Sequence, residues 1–111
     1  MTKTTRNSKQ KKMVIVMVNE KLIQRIQDNG YENSDEDFIL LIDDRAFCDS
    51  VVGISDDNRA VYDYEKMAEE LAKTYGMSIE DAYDHIEFNI LRSLPYFGPT
   101  APIVFNPLQE V

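Results

Sequence analysis

Short runs of apolar residues, each bounded by polar turn-forming residues, predict the strands of this chain. These runs of four or five mostly β-branched and aliphatic residues have the length and composition of strands. The sequence Asp56-Asp57-Asn58 tolerates the conformations of a tight turn, so its flanking runs predict a β-hairpin. The final run lies between two prolines and predicts an edge strand. The predicted strands are residues 14–18, 38–42, 51–55, 59–62 and 102–105.

Three further stretches place apolar residues at helical spacing, and each has a residue suited to the N-cap position. Gly30 and Gly76 are placed to end the first two helices, and Pro95 is placed to end the third. The segment 45–50 predicts a loop or a single turn. The predicted helices, with their N-caps in parentheses, are 20–28 (Asn19), 64–75 (Asp63) and 79–93 (Ser78).

The order of these elements predicts an α+β fold. We expect a small antiparallel or mixed sheet of four or five strands, with two or three helices packed on one face. A length of 111 residues with 43% hydrophobic residues suits one small core. Residues 1–12 lack apolar periodicity and predict a disordered basic tail, so residues 13–111 are predicted to form a single acidic domain.

Charge is divided unevenly between the tail and the domain. The whole chain carries a net charge of −8, but residues 1–12 hold five basic residues and no acid. Residues 13–111 therefore hold 7 basic and 20 acidic residues, a net charge of −13. A domain of this charge is not expected to bind nucleic acid directly, because that requires a basic face. It is suited to a partner protein with a basic surface.

No membrane, metal or cofactor is expected from the sequence. The apolar run at 13–18 is shorter than a signal peptide or a membrane span requires, so we predict a soluble, cytoplasmic protein. A single cysteine, Cys48, excludes an internal disulfide framework and a Cys-rich metal site, and we expect it to be buried. The acidic residues do not match a calcium-binding loop, and there is no glycine-rich phosphate loop.

The favoured hypothesis is a non-enzymatic protein that acts by binding a partner, such as a phage or mobile-element inhibitor of a host nucleic-acid-handling protein. Phe88 falls opposite the core stripe of its helix. It is therefore expected either beneath the apolar C-terminal segment or in an interface, where Phe88 and Leu91 would form a homodimer contact. The candidate binding residues are Asp43, Asp44, Asp56, Asp57, Phe88, Asn89, Arg92 and Tyr96.

Two other functions remain open at this stage. In the first, the protein is a small enzyme or ligand-binding domain whose polar site is lined by Asp63, His85, Asn89 and Arg92. In that site Arg92 binds an anion and His85 moves protons. A solvated helix face is the favoured interpretation of His85, and no nucleophile–base pair is present to assign as catalytic. In the second, an antitoxin-like protein folds its segment 31–37 or its basic tail on a toxin.

Four segments carry a resemblance to a known family. They are VYDYEKM at 61–67, GMSIEDA at 76–82, FNILRSLPYFG at 88–98 and API at 101–103. This pattern resembles a family of small proteins of bacteria and their phages and covers about half of the chain. The resemblance implies no particular activity, but it implies a shared structural or binding feature that comprises Asp63, Tyr64, Asn89, Arg92, Pro95 and Tyr96.

Overall fold

Residues 20–31 and 39–109 are described by a computed structural model of the chain. Their fold is α+β, as predicted, with a mixed sheet of three strands, fewer than the four or five expected. The strands are β1 (Val51–Ile54), β2 (Ala60–Asp63) and β3 (Ile103–Phe105), in the order β1-β2-β3. The basic tail, the predicted strand 14–18 and most of the segment 31–37 lie outside the described residues.

The central strand β2 has one antiparallel neighbour and one parallel neighbour. It pairs antiparallel with β1 through the predicted hairpin, with an irregularity between Val51 and Gly53. It pairs parallel with β3, with Val61 opposite Ile103 and Asp63 opposite Phe105. Among the described residues β3 lies at an edge of the sheet, which confirms the position that its flanking prolines predict.

The predicted strand at 38–42 is wrong for the residues that the structure describes there. Residues 39–42 belong to no strand, although Leu41 and Ile42 are both buried. The N–H of Ile42 donates to the Tyr62 hydroxyl at 3.0 Å, and its carbonyl accepts from the N–H of Asp44 at 2.9 Å. A side chain and a tight local turn therefore satisfy the polar groups of Ile42 in place of a strand ladder.

The described helices comprise α1, α2 and α3 with three shorter non-α segments. α1 covers residues 20–28 of the described part and ends where predicted, while its predicted N-cap, Asn19, lies outside that part. A 3₁₀ helix covers Arg45–Ser50, where a loop or single turn was expected. α2 covers Tyr64–Tyr75 with the predicted bounds. α3 covers Ile79–His85, and the following segments are a π-helix at Ile86–Leu91 and a 3₁₀ helix at Leu94–Phe97.

The π-helical segment interrupts the single α-helix predicted for 79–93. A π-helix turns through a smaller angle per residue than an α-helix, so successive side chains fall behind the α-helical pattern. Ile86 is fully buried, and Ile90 and Leu91 are half-buried against the same core. An ideal α-helix would carry Leu91 well away from Ile86, so the wider winding keeps both residues on the core side.

One hydrophobic core joins the 3₁₀ helix at Arg45–Ser50, the hairpin and the three α-helices. Its side chains come from nearly every element, which accounts for the predicted packing of helices against the sheet. The largest fully buried hydrophobic side chains are Tyr62, Phe47, Met67, Leu71, Ile86 and Pro102.

Asp63 begins α2 as predicted, because its carboxylate accepts from the N–H of Lys66 at 3.1 Å. We expect Asp63→Ala to lower the free energy of unfolding by about 1 kcal/mol, since one helix N–H loses its acceptor. Thermal unfolding followed by circular dichroism would show a melting temperature about 4 °C lower. Asp63→Asn keeps an acceptor oxygen and serves as the control, with a loss of less than half as much. Equal melting temperatures for Asp63→Ala and the wild type would contradict this role.

Candidate functional site

The predicted acidic residues before the 3₁₀ helix have different surroundings. Asp43 is exposed, whereas the carboxylate of Asp44 accepts from the N–H of Ala46 at 2.9 Å and from the hydroxyl of Tyr75 at 3.1 Å. Asp44 is thus the N-cap of the 3₁₀ helix and links it to the end of α2. Of these two candidates, Asp43 is the one whose carboxylate is open to a partner.

The acidic residues of the hairpin turn show the same division. The Asp57 carboxylate accepts a hydrogen bond from the Ser55 hydroxyl and lies 3.7 Å from the Arg59 guanidinium. The Ser55 hydrogen bond lowers the pKa of Asp57. Asp57 therefore acts within the turn, which Asn58 completes with a φ of 60°, while Asp56 is exposed.

The two predicted acidic pairs differ in their partners. Asp44 is bonded to the 3₁₀ helix and to the end of α2, whereas Asp57 is bonded within the hairpin turn. In each pair one carboxylate is therefore engaged within the chain, and the other is exposed.

Exposed aromatic side chains lie on the π-helical segment and on the 3₁₀ helix Leu94–Phe97 that follows it. Phe88 is 58% exposed, and the Arg92 guanidinium lies over its ring at 4.5 Å from the centroid, a cation–π contact. Tyr96, one turn further along the chain, is 89% exposed. Burial of Phe88 beneath the C-terminal segment is therefore wrong. We refer to Phe88, Arg92 and Tyr96 as the aromatic patch.

The residues of the alternative polar site do not converge. The Asn89 amide lies 3.3 Å from His85 Nδ1, as expected for neighbours four residues apart on a helix. Arg92, however, is stacked on Phe88, and the carboxylate of Asp63 caps α2. The structure thus brings together two pairs, His85 with Asn89 and Phe88 with Arg92, rather than one site of four polar residues.

Glu80, Asp84 and Glu87 form an acidic face on α3 and the adjoining π-helical segment, and sequence reasoning missed this face. The Tyr64 hydroxyl donates to the Glu87 carboxylate at 3.1 Å, and its ring lies 5.3 Å from that of Tyr83. Partial burial and the bond to Glu87 raise the pKa of Tyr64 to about 12. Exposed Glu80 and Asp84 precede Glu87 at intervals of four and three residues, and this spacing was the sequence signal for the face.

A cavity of about 350 Å³ lies between α1 and β1, and none of the predicted site residues lines it. Arg25 is part of its lining, and the Arg25 guanidinium donates to the Val51 carbonyl at 2.9 Å. No sequence signal marked this cavity, because its apolar residues also fit ordinary core and strand positions. Its lining comprises Leu22, Arg25, Ile26, Asn29, Tyr31, Val51, Val52, Gly53 and Ile54.

Within residues 20–31 and 39–109, no group of three or more His, Cys, Asp or Glu side chains is arranged to hold a metal ion. None of the helices described there has the length and apolar character needed to cross a membrane. Comparison of the chain with family models, curated proteins and solved structures gives no match. The resemblance to small bacterial and phage proteins therefore stays a prediction.

Proposed function

We propose that this chain is a non-enzymatic binding protein of the cytoplasm that attracts a partner with a basic surface through its carboxylates and holds it through the aromatic patch. A host nucleic-acid-handling protein, inhibited by a phage or mobile-element product, is the partner class that suits this charge. The observation that carries the proposal is the number of exposed carboxylates without a cationic neighbour.

Arg59 and Asp57 form the one ion pair within the part of the chain that the structure describes. In that part of the chain, no other exposed carboxylate has a Lys or Arg nitrogen within 4 Å. Repulsion among these carboxylates is therefore screened by solvent and salt and not by a cation of the chain. Lysine or arginine side chains of a partner would relieve it directly and would speed association at low salt. Within 39–109 these residues are Asp43, Asp49, Asp56, Glu69, Glu80, Asp81, Asp84 and Glu87.

The aromatic patch supplies the contact that charge alone does not. Tyrosine and arginine are enriched among the residues that dominate binding energy in protein interfaces. Phe88 and Arg92 hold each other in place on the π-helical segment, so little side-chain freedom is lost when a partner covers them. Glu80, Asp84 and Glu87 lie on the same stretch of helix, so attraction and anchoring come from one region.

The test is affinity capture from a bacterial host lysate with the full chain immobilised, at about 50 and 500 mM NaCl. We expect a specific partner whose retention falls about tenfold at the higher salt concentration. The double variant Glu80→Gln/Asp84→Asn should weaken retention of the partner several-fold. The double variant Glu69→Gln/Glu70→Gln removes the same charge from α2 and should weaken retention of the partner less than twofold.

The anchoring role has its own pair of variants. Tyr96→Ala should reduce retention of the same partner at least tenfold, since truncation of an interface anchor costs about 2 kcal/mol or more. Leu108→Ala removes another highly exposed apolar side chain, 98% exposed, outside the patch and should leave retention unchanged. A lysate that yields no partner, or a partner indifferent to both salt and Tyr96, would overturn the proposed function.

A further inference from the structure

We propose that the cavity between α1 and β1, referred to below as the groove, binds the C-terminal segment of an extended peptide. The peptide adds to the sheet as a strand beside β1, and its terminal carboxylate binds Arg25. This inference does not depend on the acidic surface or the aromatic patch, because no residue of either lines the groove.

Among the described residues, the edge of β1 that faces away from β2 is open. The order β1-β2-β3 leaves one side of β1 without a strand among the described residues. The N–H of Ser55 donates to the Arg59 carbonyl at 2.8 Å, which places Ser55 in a hydrogen-bonded pair of the hairpin. Because bonded and non-bonded pairs alternate in an antiparallel ladder, the N–H and carbonyl of Ile54 point to the open side.

β1 carries no charged residue and no proline, and its one irregularity lies between Val51 and Gly53, ahead of Ile54. Natural edge strands use lysine or other charged residues, proline or a bulge to discourage another strand. β1 has the sequence VVGI, Val52 is 43% exposed, and the space around Gly53 is open, with no atom within 4 Å of the position of an added Cβ. A strand edge of this kind is the surface to which extended peptides add.

The groove beside this edge has the size of a ligand site. Its volume of about 350 Å³ falls in the range of about 300–1,000 Å³ typical of ligand sites. The buried side chains of Leu22 and Ile26 provide an apolar base for the alternate side chains of an added strand. Backbone pairing would then supply general affinity, and this base would select the side chains.

Arg25 identifies which part of a peptide fits. Its guanidinium already bonds the carbonyl of Val51, the first residue of β1, so a strand that pairs along β1 must end there. An arginine has five N–H donors, and Arg25 forms no ion pair within the described part of the chain. The remaining donors match a carboxylate, and the group that ends a peptide chain is its C-terminal carboxylate.

The test uses an array of hexapeptides with free C-termini, probed with the full-length protein, and the strongest binder resynthesised as acid and as amide. We expect the amide to bind at least tenfold more weakly than the acid. Arg25→Gln should weaken binding of the acid to a similar extent, while Lys21→Gln, an equal charge change on α1, should leave it within twofold. Val52→Lys should weaken both forms by protecting the edge.

Circular dichroism melts of each variant test whether the groove variants remain folded. Glu80→Gln with Asp84→Asn should leave hexapeptide binding within twofold, so failure of the proposed function and failure of this inference are distinguishable. The inference is overturned if no hexapeptide binds, or if the best binder is unaffected by amidation and Arg25→Gln. It is also overturned if Val52→Lys abolishes only self-association of the protein, which would make a second copy the occupant of the edge.

Discussion

Phe47→Ala is expected to lower the free energy of unfolding by about 3–5 kcal/mol. Phe47 has no exposed surface, and it lies on the 3₁₀ helix that packs against α2. Truncation removes most of a buried ring and leaves a cavity between these two elements, which surrounding side chains fill only in part. A domain of this size has a total stability of about 5–15 kcal/mol, so the loss is a large share. Urea unfolding would measure it as a lower midpoint.

Phe88→Ala provides the matched control for that experiment. It removes the same ring from a side chain that is 58% exposed and contacts Arg92. We expect its loss to stay within about 1 kcal/mol, the size of an exposed cation–π contact. A loss of less than about 1 kcal/mol for Phe47→Ala itself would show that the 3₁₀ helix is not part of the core.

The stability of the protein is expected to fall steeply above pH 10 because of Tyr62. Complete burial raises the pKa of Tyr62 well above the usual value of about 10, and the N–H of Ile42 offsets this only in part. The unfolded chain ionises near pH 10 while the folded protein keeps its proton. The contribution of Tyr62 is therefore complete below pH 10 and is lost by up to about 1.4 kcal/mol per pH unit above it.

Urea midpoints at pH 8, 9, 10 and 11 measure this loss, and Tyr62→Phe isolates it. At pH 8 the variant should be less stable by about 1–3 kcal/mol, because the buried N–H of Ile42 loses its acceptor. Above pH 10 its stability should fall less steeply than that of the wild type. The pH dependence that remains in the variant includes a contribution from Cys48. Burial raises the pKa of the Cys48 thiol, and the charges of Asp49 and Asp44 raise it further. Identical slopes would refute the assignment to Tyr62.

Local signals predicted α2 and the hairpin well, because short-range interactions determine them. α2 begins at its capping aspartate, and Gly76 ends it with a φ of 66°, a conformation that glycine adopts without strain. The hairpin follows from Asn58, which accepts a φ of 60° in the turn. Each of these outcomes depends on residues within one turn of the chain.

Predictions that depend on tertiary contacts were less accurate. Residues 39–42 have the composition of a strand, but the Tyr62 hydroxyl, twenty residues away, takes the hydrogen bond that a ladder would use. The interruption of α3 follows from the need to bring both Ile86 and Leu91 to the core. Neither contact has a local sequence signal.

The candidate site was predicted in part for the same reason. Helical periodicity identified Phe88 as a residue outside the core stripe, and the structure exposes it beside Arg92. Counting charges did not show that Asp44 and Asp57 already have partners within the chain. That distinction requires the position of Tyr75, which lies thirty-one residues from Asp44 in sequence.

The parallel pairing of β2 with β3 bears on the order in which the chain folds. The hairpin and α2 form between residues close in sequence, but the contact of Asp63 with Phe105 must close a loop of roughly 40 residues. That loop contains α2 and α3, and its closure entropy is repaid only after these helices have packed. We expect the third strand to join last, so that a chain emerging from the ribosome assembles its helical layer before its sheet is complete.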